Sequence, residues 1–255
     1  MSRRQSSLTE IKWSPTFSYA VGLITSDGNL SPNGRSFEFS SKDFENVENL
    51  KQCLGLETKI TLKKRGSLPY THCYHTQFGN IKLYQYLQGL GLGPRKSLRL
   101  KAVSIPVALF ADFLRGLWDG DGGFSTFSHP ESRRLQWKAR ISSGSFEFVD
   151  WLRKTIQNYY GIVSKIYRTR TVYQLVFHQN EGRRLLGIMY YDPAVICLSR
   201  KAKQAEFLKG DRFMPAGNYI SEGHVAELED AQDLGSCPER GGGSTPSMPK
   251  IMIGI

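Results

Sequence analysis

Two aspartates stand in the same unusual setting. Asp27 ends the apolar stretch YAVGLITSDG (residues 19–28) and Asp121 ends FLRGLWDGDGG (residues 113–123), and the two acids lie 94 residues apart. Each follows a run of helical character and is followed at once by Gly. The Gly is ordinary, because Gly is preferred just past a helix C-terminus. The acid is not: that end of a helix carries partial negative charge and favours Lys or Arg, so Asp there costs from a few tenths up to ~1 kcal/mol. Two acids in matching positions therefore point to a shared cation. Divalent metals held by carboxylates supply what phosphodiester hydrolysis needs, namely a nucleophilic water, charge stabilisation at phosphorus and a neutralised leaving oxygen. Mg²⁺ commonly takes only one or two protein carboxylates and completes its shell with phosphate oxygens and water, so one Asp per copy suffices, with Mg²⁺ or Mn²⁺ as the expected cofactor. Lys96 in GPRKS and Lys201 in LSRKAK occupy corresponding places 105 residues apart. They are candidates for polarising the attacking water or stabilising the phosphorane, and phosphate clamps or plain surface lysines are equally open readings.

The elements that would position these groups repeat in order. The first helix is expected over residues 15–26 and its counterpart over residues 107–118, where Asp112 and Arg115 are the only charges, so that the second should be buried on more than one side. Gly22 and Gly116 sit inside these helices where Ala would be about 1 kcal/mol better, as expected where two backbones approach closely. Two helices packed together would thus deliver Asp27 and Asp121 to one place, with Gly22 and Gly116 at the interface. In the first pass, strands are expected at 36–42, 58–66 and 69–79, with helices from Asp43 to about Leu56 and from Asn80 to Leu90. The second pass has a long turn carrying His129-Pro130 and strands at LQWKARISS, SKIYRTR and TVYQLVFHQ. Its helices are SFEFVDWLRKTIQNYYG and EGRRLLGIMYYD, the last regular helix expected. This reads as α-β-β-α-β-β-α written twice, an α+β fold with two related four-stranded sheets.

The expected strands alternate sharply. Lys59, Thr61, Lys63 and Arg65 oppose Ile60 and Leu62; Gln136, Lys138, Arg140 and Ser142 oppose Trp137, Ala139 and Ile141; Glu38, Ser40 and Lys42 oppose Phe37 and Phe39; Arg168 and Arg170 form a further pair, and Gln174 lies on a neighbouring strand. A merely solvated face usually mixes charge signs, whereas Glu38 is nearly the only acid here. Lys, Arg, Gln, Ser and Thr are what phosphates and major-groove base edges require, so these positions are the candidate DNA contacts.

AVGLITSDG (residues 20–28) and LRGLWDGDG (residues 114–122) resemble two copies of the motif that names the LAGLIDADG homing endonucleases. Thr25 replaces an acid frequent in the family and Asp119 keeps it; that position is not the family's metal ligand. The resemblance spans roughly residues 15–210. It implies two pseudo-symmetric αββαββα repeats whose paired antiparallel β-sheets form a saddle over DNA, and metal ligation by Asp27 and Asp121 with the backbone carbonyls of Ser26 and Gly120. It also implies cleavage of both strands of a long asymmetric site. Two alternatives on the same fold are an intron RNA-splicing maturase and a non-catalytic DNA-binding regulator.

The chain as a whole agrees with an anionic partner. The formal charge is +11 and the pI about 9.5, favouring nucleic acid over membrane. No apolar run approaches the roughly 20 residues that span a bilayer, and MSRRQSSLTE lacks an apolar signal core. An intracellular monomer is therefore expected. The four cysteines show no CxxC pairing and are expected to be reduced. The domains read as a basic lead-in (1–14), first repeat (15–106), second repeat (107–212) and disordered tail (213–255). Permitted codons over residues 223–249 can pair like the arms of a transfer RNA, so the tail is a candidate read-through into a tRNA gene.

Overall fold

The computed structural model describes residues 11–64, 72–128 and 135–209. The expected tail lies outside them, as do Arg65 and His129-Pro130.

Two motif helices form the seam of the molecule. α1 (Pro15–Asp27) starts where the Ser14 side chain accepts from Phe17 N at 3.0 Å, with Pro15 in the first turn, whose missing N–H has no intrahelical role there. α4 (Phe110–Asp121) is preceded by a short 3₁₀ turn over Val107–Leu109. Residues 17–25 and most of 110–119 are buried, Asp112, Arg115 and Asp119 included. Both helices end on the motif acid, and each is followed directly by a strand: β1 (Gly28–Leu30) after Asp27, and β5 (Gly122–Ser128) after Asp121. The α-β-β-α-β-β-α order calls for a strand at each of these places, though the residue pattern assigns neither its bounds.

Each repeat then builds an antiparallel sheet. The first is ordered β1-β2-β4-β3, with β2 (Ser36–Ser41), β3 (Thr61–Lys64) and β4 (His72–Gly79). The second is ordered β5-β6-β8-β7, with β6 (Leu135–Ser143), β7 (Lys165–Arg168) and β8 (Tyr173–His178). One face of each sheet joins the core through Leu30, Phe37, Phe39 and Phe78 in the first repeat and Phe124, Trp137, Ile141, Leu175 and Phe177 in the second. Four helices cover these faces: α2 (Phe44–Leu54), α3 (Ile81–Gly89), α5 (Phe146–Tyr160) and α6 (Gln179–Met189). Asn80 and Ser145 cap α3 and α5 as their types predict. Asp43 precedes α2 but makes no capping bond; its carboxylate receives two Arg200 nitrogens, each at 2.8 Å.

Arg200 belongs to α7 (Ser199–Lys209), a helix that corrects the expectation that regular structure ends with α6. α7 has a weak apolar stripe, burying Lys201, Ala205 and Leu208, so the periodicity that reveals an amphipathic helix is missing. Arg168 is a second correction. It pairs with Tyr173 while Lys165 pairs with Val176, so Arg168 lies on the helix-covered face, where its guanidinium sits 5.8 Å from the Tyr173 ring centroid. Lys165 and Tyr167 hold the positions on the opposite face. A one-residue offset flips a side chain across a sheet. Arg170 lies past the end of β7, Lys42 just past β2 and Lys59 just before β3. Cys53 and Cys197 are free thiols as expected, whereas Cys73 is disulfide-bonded.

Candidate functional site

The two mid-helix glycines make the seam. A Cβ at Gly22 would overlap the Phe113 carbonyl oxygen and lie 2.7 Å from Leu117 N; one at Gly116 would overlap the Tyr19 carbonyl oxygen and lie 2.9 Å from its carbon. Backbone meets backbone here, and only Gly leaves the space. One turn onward the helices still touch, because a Cβ at Gly120 would overlap the Ser26 side chain and lie 3.0 Å from Asp27 Oδ2. Asp27 thus lies against the last turn of the helix that carries Asp121.

Electrostatics identify this as a corner crowded with charge. Burial and the facing Asp121 carboxylate push the Asp27 carboxyl well above the usual range, against the opposing pull of Lys96 and Lys201. Burial likewise raises Asp121, and the same two lysines act to lower it. Two acids that each resist ionisation are a ready cation site. Among the described residues no group of three or more His, Cys, Asp and Glu forms a closed metal cage. A hard divalent ion fits the donor set present, two carboxylates, with room in its shell for phosphate and water.

The lysines lie at the same corner and bond to the carbonyls there. Lys96 Nζ donates to the Ser26 carbonyl at 3.0 Å. Lys201 Nζ lies within reach of four carbonyl oxygens at the end of α4: Trp118 at 2.7 Å, Asp119 at 3.0 Å, Gly120 at 3.3 Å and Gly122 at 2.7 Å. An ammonium there neutralises the negative end of the helix, the role usually filled by a basic residue in its last turn. Burial nevertheless lowers the Lys201 pKa to about 8. The Ser26 and Gly120 carbonyls therefore carry lysine hydrogen bonds in this structure.

The uncovered sheet faces assemble most of the other candidates. Directly paired residues share a face, and in the first sheet this brings Glu38 with Gln77 and Asn29, Ser40 with His75 and Thr61, and Lys63 with Cys73. Glu38 is neutralised by an ion pair with Lys63. In the second sheet Gln136, Lys138, Arg140 and Ser142 share a face with Gln174, His178, Lys165 and Tyr167. Asn29, Gln77, His75, Lys165, Tyr167 and His178 join these faces without having been expected there. Lys165 and Tyr167 lie in a strand whose alternation fits either phase, so that pairing with β8 places them, while Asn29 sits on a three-residue strand too short to alternate visibly.

Known proteins share this fold. Residues 109–188 match the family model of a LAGLIDADG-like domain. The homing endonuclease I-WcaI bound to its DNA recognition sequence is similar at 14% identity and TM-score 0.54, over 76% of this chain and 88% of that one. The LAGLIDADG meganuclease I-AabMI bound to uncleaved DNA is similar at 15% identity and TM-score 0.52, over 90% and 100%.

The chain has the LAGLIDADG homing-endonuclease fold.

That fold is also shared, at 16% identity and TM-score 0.50, by full-length DUF199/WhiA from Thermatoga maritima, over 89% of this chain and 69% of that one. No curated protein matches the sequence. Among the described residues no helix is long and apolar enough to cross a membrane.

Proposed function

We propose that this LAGLIDADG-fold chain is a site-specific endonuclease that hydrolyses both strands of duplex DNA at a long asymmetric target, using Mg²⁺ or Mn²⁺. The observation that carries this reading is the meeting of Asp27 and Asp121 at the end of a Gly-on-Gly helix seam. Both acids sit in a setting that penalises their charge unless a cation is present. Asp27 and Asp121 would hold the metal, which when bound would activate water and stabilise the charge that develops on the scissile phosphate.

The chain's own residues do the rest. Gly22 and Gly116 fix the separation of the two acids. Lys96 and Lys201 keep positive charge beside them and hold the carbonyl ends of both motif helices. The two polar faces, with Lys63, Thr61, His75 and Gln77 on one and Lys138, Arg140, Lys165 and Gln174 on the other, would track the backbone and read base edges on either side of the cut. Because the two faces differ in sequence, the target should be asymmetric.

The test uses the full chain, Mg²⁺ and a supercoiled plasmid carrying the two genomic flanks of the coding frame joined together. Linear product is expected; EDTA should abolish it and Asp121→Asn should slow it on the order of 10²–10³-fold. A protein that binds this plasmid but breaks neither strand with Mg²⁺ or Mn²⁺ would instead be a DNA-binding regulator on the same fold. Splicing of the intron RNA without any cleavage would favour a maturase.

A further inference from the structure

The acid two residues before the end of the second motif helix has a different task from the motif's last acid. Asp119 is 1% exposed. Its Oδ2 accepts from Tyr19 OH at 2.7 Å and from the backbone N–H of Leu198 at 2.7 Å. The Leu198 carbonyl in turn accepts from the backbone N–H groups of Lys201 and Ala202, both at 3.0 Å, and so begins α7. From that helix Lys201 reaches back to the carbonyls of Trp118, Asp119, Gly120 and Gly122. The connections close a ring: Asp119 carboxylate, Leu198, Lys201, and again the peptide of Asp119. Asn46 Nδ2 adds a bond to the Asp119 carbonyl at 3.1 Å. In the first repeat the matching residue is Thr25, whose hydroxyl donates to the Val21 carbonyl within its own helix at 2.7 Å.

We propose that Asp119 is a positioning residue for the second half of the site: by holding Leu198 it seats Lys201 on the end of α4 and so fixes where Asp121 stands. A buried carboxylate that receives a backbone N–H and a phenol O–H makes charge-assisted hydrogen bonds, the strong and directional kind. Near Lys201 the other ties of α7 to the body, Arg200 to Asp43 and Ser199 to Glu45, are exposed, where such pairs contribute little; the partly buried bonds of Arg183 to the Leu208 carbonyl and of Lys209 to the Tyr190 carbonyl lie at the far end of the helix. The two halves of the site are therefore held differently. The second is locked by a long-range ring, and the first is ordered within its own helix and by the Lys96 bond to Ser26.

The seating of Lys201 can be read without any cleavage. The full chain is treated with the N-hydroxysuccinimide ester of acetic acid, and acetylation of each lysine is followed by mass spectrometry. Lys201 and Lys96 are 1% and 5% exposed, so both should be protected in the native protein. In Asp119→Thr, which installs the first repeat's residue, labelling of Lys201 should rise roughly tenfold or more, the factor carried by losing a hydrogen bond to a charged group. Lys96 should stay protected. Asp119→Asn keeps one acceptor oxygen and should show a smaller rise; it carries the test if the Thr variant does not fold. Asp43→Asn should leave Lys201 protected. Continued protection of Lys201 in both Asp119 variants would overturn the proposal, and equal labelling of Lys96 and Lys201 would reduce Asp119 to general stability.

A second readout rests on the endonuclease reading. On the joined-flank plasmid Asp119→Thr should accumulate nicked circles, with the nicked-to-linear ratio up roughly tenfold by the same factor; loss of both products in proportion would count against the proposal. If the unaltered protein leaves the plasmid intact, the endonuclease reading falls, and the labelling still decides the role of Asp119.

Discussion

The two motif helices do the same job with different interiors. α1 buries Ser18 and Val21 where α4 buries Asp112 and Arg115, and it has Thr25 where α4 has Asp119. The reason lies outside the helices. The chain between α6 and α7 is irregular and meets α4 at both ends, and where irregular backbone is packed against a helix its polar groups must find partners away from a ladder. Arg115 supplies donors, binding the Met189 and Ile196 carbonyls at 2.8 and 2.9 Å and the Asp112 carboxylate at 2.7 Å. Ser18 needs to satisfy only the Leu109 carbonyl, at 2.8 Å. Charge inside this protein thus follows the route of irregular chain, and duplicated helices diverge where their surroundings do.

The comparison is most severely tested by making α4 like α1. Arg115→Val should cost about 3–5 kcal/mol in urea unfolding, since it strands Asp112 as an unpaired buried charge. Adding Asp112→Ser should recover part of the loss, and a single-variant loss under about 1 kcal/mol would mean that the buried pair does not hold the irregular chain. Catalysis should show the opposite, an equivalence: Asp27→Asn and Asp121→Asn are each expected to slow plasmid linearisation on the order of 10²–10³-fold, the cost of one preorganised charged group. A variant that cuts normally would remove its half from the site.

How much of this could be read from the chain depends on how local each signal is. The acids and the glycines of each motif helix lie within one short stretch, so one window held the seam and the meeting of the two acids. The four-stranded reading includes β1 and β5 but cannot bound them, because each begins on the Gly that also ends a helix and Gly28–Leu30 leaves no room to alternate. Arg168 falls on the unexpected face because SKIYRTR alternates equally well in either phase, and only pairing with Tyr173 chooses between them. The role of Asp119 was hidden for a different reason. Its partners Tyr19 and Leu198 lie 100 and 79 residues away, and no pattern within one segment can announce such a link.

Two smaller effects sharpen the contrast between crowded and open glycines. Gly22→Ala and Gly116→Ala should each destabilise by about 1–3 kcal/mol, because backbone atoms of the other helix must move. Gly187 lies in α6, where an added Cβ would meet nothing within 4 Å, so Gly187→Ala should stabilise by up to ~1 kcal/mol through helix propensity alone. Thermal melts of the three variants compare them directly, and a stabilising Gly116→Ala would mean that the helices do not meet there.

The Gly crossing also behaves as the rivet of a pair of scissors. Gly22 precedes Asp27 by five residues and Gly116 precedes Asp121 by five, so each blade is about 7.5 Å long at the α-helical rise of ~1.5 Å per residue. Short blades forgive angular error: a change of about 10° in crossing angle would displace either tip by only about 1.3 Å on that geometry. The rivet converts loose control of angle into tight control of distance, and sheets that flex need not disturb the gap between the two carboxylates.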